Sequence, residues 1–77
     1  MPRRLPALKA RDLMRILHLI GFSEIRQSGS HIFFKHLDGR TTLVSKHGGE
    51  DIGRGLLRQI LREIELTPDQ FSEFFNR

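Results

Sequence analysis

No cysteine occurs in this 77-residue chain. No disulfide can therefore staple so small a fold, and a structural zinc site would have to be built from histidines and carboxylates, an uncommon choice. Long apolar runs are missing too: none approaches the roughly 20 residues that cross a bilayer. The opening segment MPRRLPALKARD lacks the apolar centre of a signal peptide. These absences lead us to expect a cytoplasmic protein with no membrane segment. Acidic residues are scarce toward the front: residues 1–49 carry nine basic and three acidic side chains, whereas residues 50–77 carry four and six.

What is present is one core's worth of apolar residues and many arginines. The hydrophobic fraction is 38%. Because a 60-residue domain hides only about 60% of its unfolded surface, the chain supports one domain over residues 1–77, with residues 1–6 as a basic N-terminal arm. Ten of the 13 basic residues are arginine. The planar guanidinium fits flat, bidentate groups such as phosphates and base edges, so the cationic front points to nucleic acid rather than to a neutral metabolite.

Leu13, Ile16, Leu17 and Ile20 recur at i, i+3, i+4 and i+7, which predicts a helix over about 9–20 with one buried stripe, stopped by Gly21. From Phe22 to His47 that period disappears. Ser28-Gly29-Ser30 and Asp38-Gly39 then mark turns between three antiparallel strands near 23–28, 31–36 and 41–46. A two-residue Asp38-Gly39 hairpin sets Leu37 opposite Arg40, Phe34 opposite Leu43 and His31 opposite Lys46. One face then holds Ile32, Phe34 and Leu43, and the other His31, Phe33, Lys35, Thr42, Val44 and Lys46. Residues 52–65 return to the helical period through Leu57, Ile60, Leu61 and Ile64, with Glu50 and Asp51 as a carboxylate cap. Thr67-Pro68-Asp69-Gln70 is a capping box opening a short last helix. The expected class is α+β: helix, three-stranded antiparallel sheet, helix, short C-terminal helix.

His31 begins a strand just after a Gly turn, and an imidazole there can accept and return a proton near neutrality; equally it is an ordinary strand residue. Phe33, on the same face, can stack on an unpaired base, and Lys35 and Lys46 can steady phosphate charge. Ser28, Gly29 and Ser30 complete the surface offered to RNA. His47 reads as a second proton carrier, a phosphate contact or a loop residue. Histidines 18, 31, 36 and 47 lack ligand spacing with a neighbouring carboxylate, so neither metal nor cofactor is expected. Arg54, Arg58 and Arg62 follow one another at i, i+4 and i+8, either as a solvated face or as contacts to RNA or an acidic partner. Gly53 and Gly55 at that helix start let a phosphate or another backbone come close.

Several segments together carry a resemblance: Leu19-Ile20-Gly21-Phe22, Arg26-Gln27-Ser28-Gly29-Ser30-His31, His36-Leu37-Asp38-Gly39-Arg40, His47, and Ile52-Gly53-Arg54-Gly55-Leu56-Leu57-Arg58-Gln59-Ile60-Leu61. In this order and spacing they resemble the HicA family of toxin–antitoxin systems, over nearly the whole chain. The resemblance implies a fold like the double-stranded-RNA-binding domain and a type II toxin that cleaves mRNA as a metal-independent endoribonuclease. It also implies that His31 is the catalytic residue and that a HicB-type antitoxin binds the toxin and covers its active site. The sequence departs from the family pattern at Ser45 and Leu56, where members often carry Pro and Thr; both bear on loop shape rather than on His31. The alternative is a non-catalytic RNA-binding module on the same fold. A third reading gives the arginine stripe and Phe71, Phe74 and Phe75 to an antitoxin interface alone.

Overall fold

A computed structural model describes residues 8–46 and 51–75; His47 and the arm 1–6 lie outside the described residues. The chain runs β1 (Leu8–Lys9), α1 (Ala10–Ile20), β2 (Phe22–Ser28), β3 (His31–His36), β4 (Thr41–Ser45), β5 (Asp51–Ile52), α2 (Arg54–Glu63) and α3 (Pro68–Phe75). Strands β2, β3 and β4 form an antiparallel sheet in that order, and β1 pairs with β5 in a separate two-stranded ladder. The small ladder has no sequence signature, because two residues are too few to show a period. It ties the starts of the two long helices together, with Lys9 Nζ 2.9 Å from Asp51 Oδ1. Asp51 is thus engaged across the ladder, and Gly53 is the N-cap of α2 in place of the expected carboxylate.

The predicted stripes are the core. Leu13, Ile16 and Leu17 of α1 and Leu57, Ile60 and Leu61 of α2 are buried, with Ile64 just beyond them, against Phe22, Ile32, Phe34 and Val44 of the sheet. Phe71 is fully buried, and Phe74 and Phe75 pack on the same core. Phe71 therefore belongs to the core, while Phe74 and Phe75 stay partly exposed at its edge. Helix α1 lacks a Ser, Thr or Asn cap; the Lys9 N–H instead donates to Asp12 Oδ2 at 3.2 Å, where a carboxylate also suits the helix dipole. Its end is as expected, with Gly21 at φ 114° and its N–H shared by the Leu17 and His18 carbonyls. The capping box of α3 forms in both directions: the Gln70 N–H donates to Thr67 Oγ1 and the Thr67 N–H to Gln70 Oε1.

The β3–β4 register differs from the expectation by one residue. His31 faces Ser45, Ile32 faces Val44, Phe33 faces Leu43 and Phe34 faces Thr42. The cause lies in the turn. The Gly39 N–H bonds to the His36 carbonyl, and the His36 N–H to the Arg40 carbonyl. Gly39 alone takes positive φ, at 100°, so the loop has three residues rather than two. Asp38 favours this form by accepting from the Arg40 N–H at 3.1 Å and from Arg40 Nε at 2.8 Å, an Asx-type turn. Val44 and Thr42 consequently face the core, and Leu43 is 47% exposed. Lys46 has the parity of Thr42 and Val44, so it leaves the face of His31.

Candidate active site

The covered side of the sheet packs on the helices, which leaves its other side open. His31, Phe33, Lys35, Thr41, Leu43 and Ser45 lie along that open face on β3 and β4. The preceding turn is short: Ser28 pairs with His31, and Gly29-Ser30 forms the loop. Gly29 has φ 58° whereas Ser30 does not share the positive value, the signature of a II′ hairpin with Gly in first place. The Gly-Ser-His run is thus a backbone requirement followed by the first residue of a strand, which holds His31 on rigid scaffold.

Strand β2 adds Arg26, which sequence reasoning missed, beside the expected Ser28. Its register runs Ser23 to Lys35 and Glu24 to Phe34, then jumps to Arg26 opposite Phe33 and Ser28 opposite His31. Ile25 is a bulged extra residue. In an unbroken strand Arg26 and Ser28 would share the side of buried Phe22; the bulge turns both to the open face, a common use of bulges near functional sites. The Arg26 guanidinium carbon then lies 5.8 Å from the centre of the Phe33 ring, within cation–π range. Nothing in the residue order announces the bulge, although an Arg two positions before Ser28 was a visible candidate.

An open hollow of about 370 Å³ is lined by Arg26, Ser28, His31, Phe33 and Leu43. A second, of about 360 Å³, lies across the Phe33–Leu43 ridge, between Arg40, Thr41, Thr42, Glu63 and Glu65. Of the expected site residues, the first hollow gathers His31, Phe33 and Ser28. Gly29 and Ser30 form the adjoining turn. Lys35 shares the open face but sits four residues from His31, about 13 Å along a strand. Lys46 lines neither hollow. Arg54, Arg58 and Arg62 are exposed on α2, which packs against the covered side, so the stripe does not join the His31 face.

The second hollow is structural at its base. The Thr42 hydroxyl donates to Glu63 Oε1 at 2.8 Å, and Arg40 Nη1 donates to the Ile64 carbonyl, so the β3–β4 turn is tied to the end of α2. The Arg40 N–H holds the Asp38 carboxyl below its ordinary value of 3.8; desolvation opposes it, and the Arg40 guanidinium and the His36 ring add to the lowering. Among the described residues no three His, Asp or Glu side chains gather as a metal site requires. No helix among them is long and apolar enough to cross a membrane.

A three-stranded antiparallel sheet, helices on one side and an imidazole, a guanidinium and an aromatic ring on the other, defines a small α+β protein of the double-stranded-RNA-binding-domain type. The model of the family described as the HicA toxin of bacterial toxin–antitoxin matches residues 10–66, from the start of α1 to just past α2, and the chain belongs to that family. Membership makes it the toxin of a toxin–antitoxin pair, with an antitoxin as its partner. No curated protein sequence matches the chain.

Proposed function

We propose that this toxin is a metal-independent endoribonuclease that cleaves mRNA in the cytoplasm. In this reading His31 is the proton-transfer residue, and a HicB-type antitoxin silences the toxin by covering the open sheet face. The supporting observation is the joint placement of His31 and Phe33 in one hollow, beside a turn that lets a polynucleotide backbone approach. Phe33 holds an unpaired base. The His31 imidazole takes the proton of the ribose 2′-hydroxyl as the 2′-oxygen bonds to phosphorus and the bond to the 5′-oxygen breaks. The leaving oxygen collects a proton from His31 in its acid form, from His47 or from water. The products are a 2′,3′-cyclic phosphate and a free 5′-hydroxyl. Lys35 meets a flanking phosphate rather than the scissile one. The Arg54, Arg58 and Arg62 stripe, on the far side, takes an acidic surface of the antitoxin.

Single-turnover cleavage of bacterial mRNA by wild type, His31→Ala and His47→Ala, with end-group analysis, tests this reading. The expected result is a loss of 100-fold or more in His31→Ala and a cyclic phosphate end in wild type. Equal cleavage by wild type and His31→Ala removes the catalytic role. Binding without cleavage in every form leaves a non-catalytic RNA-binding module. Arg58→Glu is expected to weaken antitoxin binding and leave cleavage unchanged.

A further inference from the structure

We infer that Arg26 supplies the cationic contact to the scissile phosphate, and that Arg26 stacked on Phe33 grips an unpaired nucleotide. The inference rests on the endoribonuclease reading and adds the group that reading lacks. Cleavage through a 2′-oxygen builds negative charge on the nonbridging oxygens of phosphorus, and a fixed donor beside them is worth a large rate factor. The two lysines available from sequence are badly placed, one by distance along β3 and the other by register. Arg26 is placed by the Ile25 bulge, opposite Phe33 and two pairs along the ladder from Ser28–His31, on the same face. It lines the same hollow as His31, and no carboxylate engages its guanidinium among the described residues.

The chemistry of the side chain fits that position. A guanidinium is planar and weakly hydrated, so one face can lie on the Phe33 ring while its edge N–H groups point to phosphate oxygens in a fork. It stays charged throughout and exchanges no proton, leaving proton transfer to His31. A base stacking on this pair must present a free face, which a duplex hides. The substrate segment is therefore single-stranded.

The test uses the full chain with two probes of one mixed sequence: a 5′-labelled single-stranded RNA for cleavage and its all-deoxy counterpart, which lacks the 2′-hydroxyl, for binding. Arg26→Ala is expected to slow single-turnover cleavage about 100-fold, and Arg26→Lys to recover about tenfold of that loss. The slope of log binding constant against log salt should become shallower by about 0.7 in Arg26→Ala, one phosphate contact on a single strand, and stay at the wild-type value in Arg26→Lys. A merely structural role would leave that slope alone. Cleavage by Arg26→Ala within threefold of wild type, or an unchanged slope, overturns the inference. His31→Ala separates the failures: if it cleaves like wild type the endoribonuclease reading falls, whereas an inactive His31→Ala beside a fully active Arg26→Ala removes Arg26 alone.

Discussion

His31 and Ser45 face each other across the β3–β4 ladder, and that pairing decides which side of β4 is apolar. Val44 is fully buried and Leu43 is 47% exposed. Val44→Ala removes two buried methyl groups and leaves a cavity, so it should cost about 2 kcal/mol. Leu43→Ala, although it removes more carbon, should stay within about 1 kcal/mol of wild type. Urea unfolding of the two variants measures this directly. The opposite ranking would mean the register of a two-residue hairpin.

The order of the three helices and the three-stranded sheet, both amphipathic stripes, the Gly21 stop and the α3 capping box were legible because each is written in local periodicity, in turn residues or in a cap of fixed spacing, whereas the two-residue strands β1 and β5 were not. His31 and Phe33 were legible as neighbours because residues i and i+2 of one strand share a face under any register. The partner of His31 was not legible. Asp38-Gly39 is compatible with loops of two or three residues, and the choice is made by Asp38 bonding to Arg40 and by Arg40 reaching the end of α2, a contact across 24 positions. Arg26 was hidden for a related reason. A bulge reverses side-chain parity without changing composition, so Ile25 looks like any strand residue until its partner strand is in place.

Gly21 and His36 meet closely. A Cβ on Gly21 would stand 2.9 Å from His36 Nε2, and the backbone there has φ 114°. The imidazole is held edge-on to Phe22, with centroids 5.1 Å apart, and cannot swing away freely. Gly21→Ala therefore carries both backbone strain and a steric clash, and should lose about 2 to 3 kcal/mol. His36→Ala in the same chain should return part of that loss, leaving the backbone cost of about 1 to 2 kcal/mol. A double-mutant cycle by chemical denaturation reads the coupling. Strict additivity would mean that the ring simply moves aside.

Asp38 gives a defined acid response. Its carboxyl lies below the ordinary value of 3.8, chiefly through the Arg40 N–H, so the folded chain binds that proton more weakly than the unfolded one. The stabilisation is fully present above the unfolded value and is lost as pH falls through the lower folded value. Asp38→Asn keeps an acceptor for the Arg40 N–H but cannot titrate. The stability gap between wild type and Asp38→Asn should hold from pH 7 to about 5 and narrow below about 4. Denaturant titrations at several pH values measure the gap, and a gap that widened on acidification would contradict the assignment.

Glu65 is the one described non-glycine residue with positive φ, at 60°. It closes α2 in a Schellman arrangement: the Leu66 N–H bonds to the Leu61 carbonyl and the Glu65 N–H to the Arg62 carbonyl. Glycine occupies this position without left-handed strain. Glu65→Gly should therefore raise stability by about 0.5 to 1 kcal/mol despite a more flexible unfolded chain. A β-branched Glu65→Val should lower it by about 1 kcal/mol or more. Thermal unfolding ranks the three proteins, and a destabilised Glu65→Gly would show that the carboxylate itself holds this corner.

Phe33 is half-buried, opposite both Arg26 and Leu43, at the ridge between the two hollows. Phe33→Leu keeps an apolar side chain of similar reach on the same strand, so the fold should stay within about 1 kcal/mol of wild type. It removes the π-face that both a base and the Arg26 guanidinium need. Base stacking on an aromatic ring contributes roughly 1 to 3 kcal/mol. Affinity for the all-deoxy single strand should accordingly fall about tenfold or more, read by fluorescence anisotropy at constant salt. Because Phe33→Leu leaves every charge in place, the salt slope should barely change, in contrast to Arg26→Ala. Two variants in one hollow would then separate the ring's contribution from that of the cation. Wild-type affinity in Phe33→Leu would instead place the bound strand on the phosphate contacts alone.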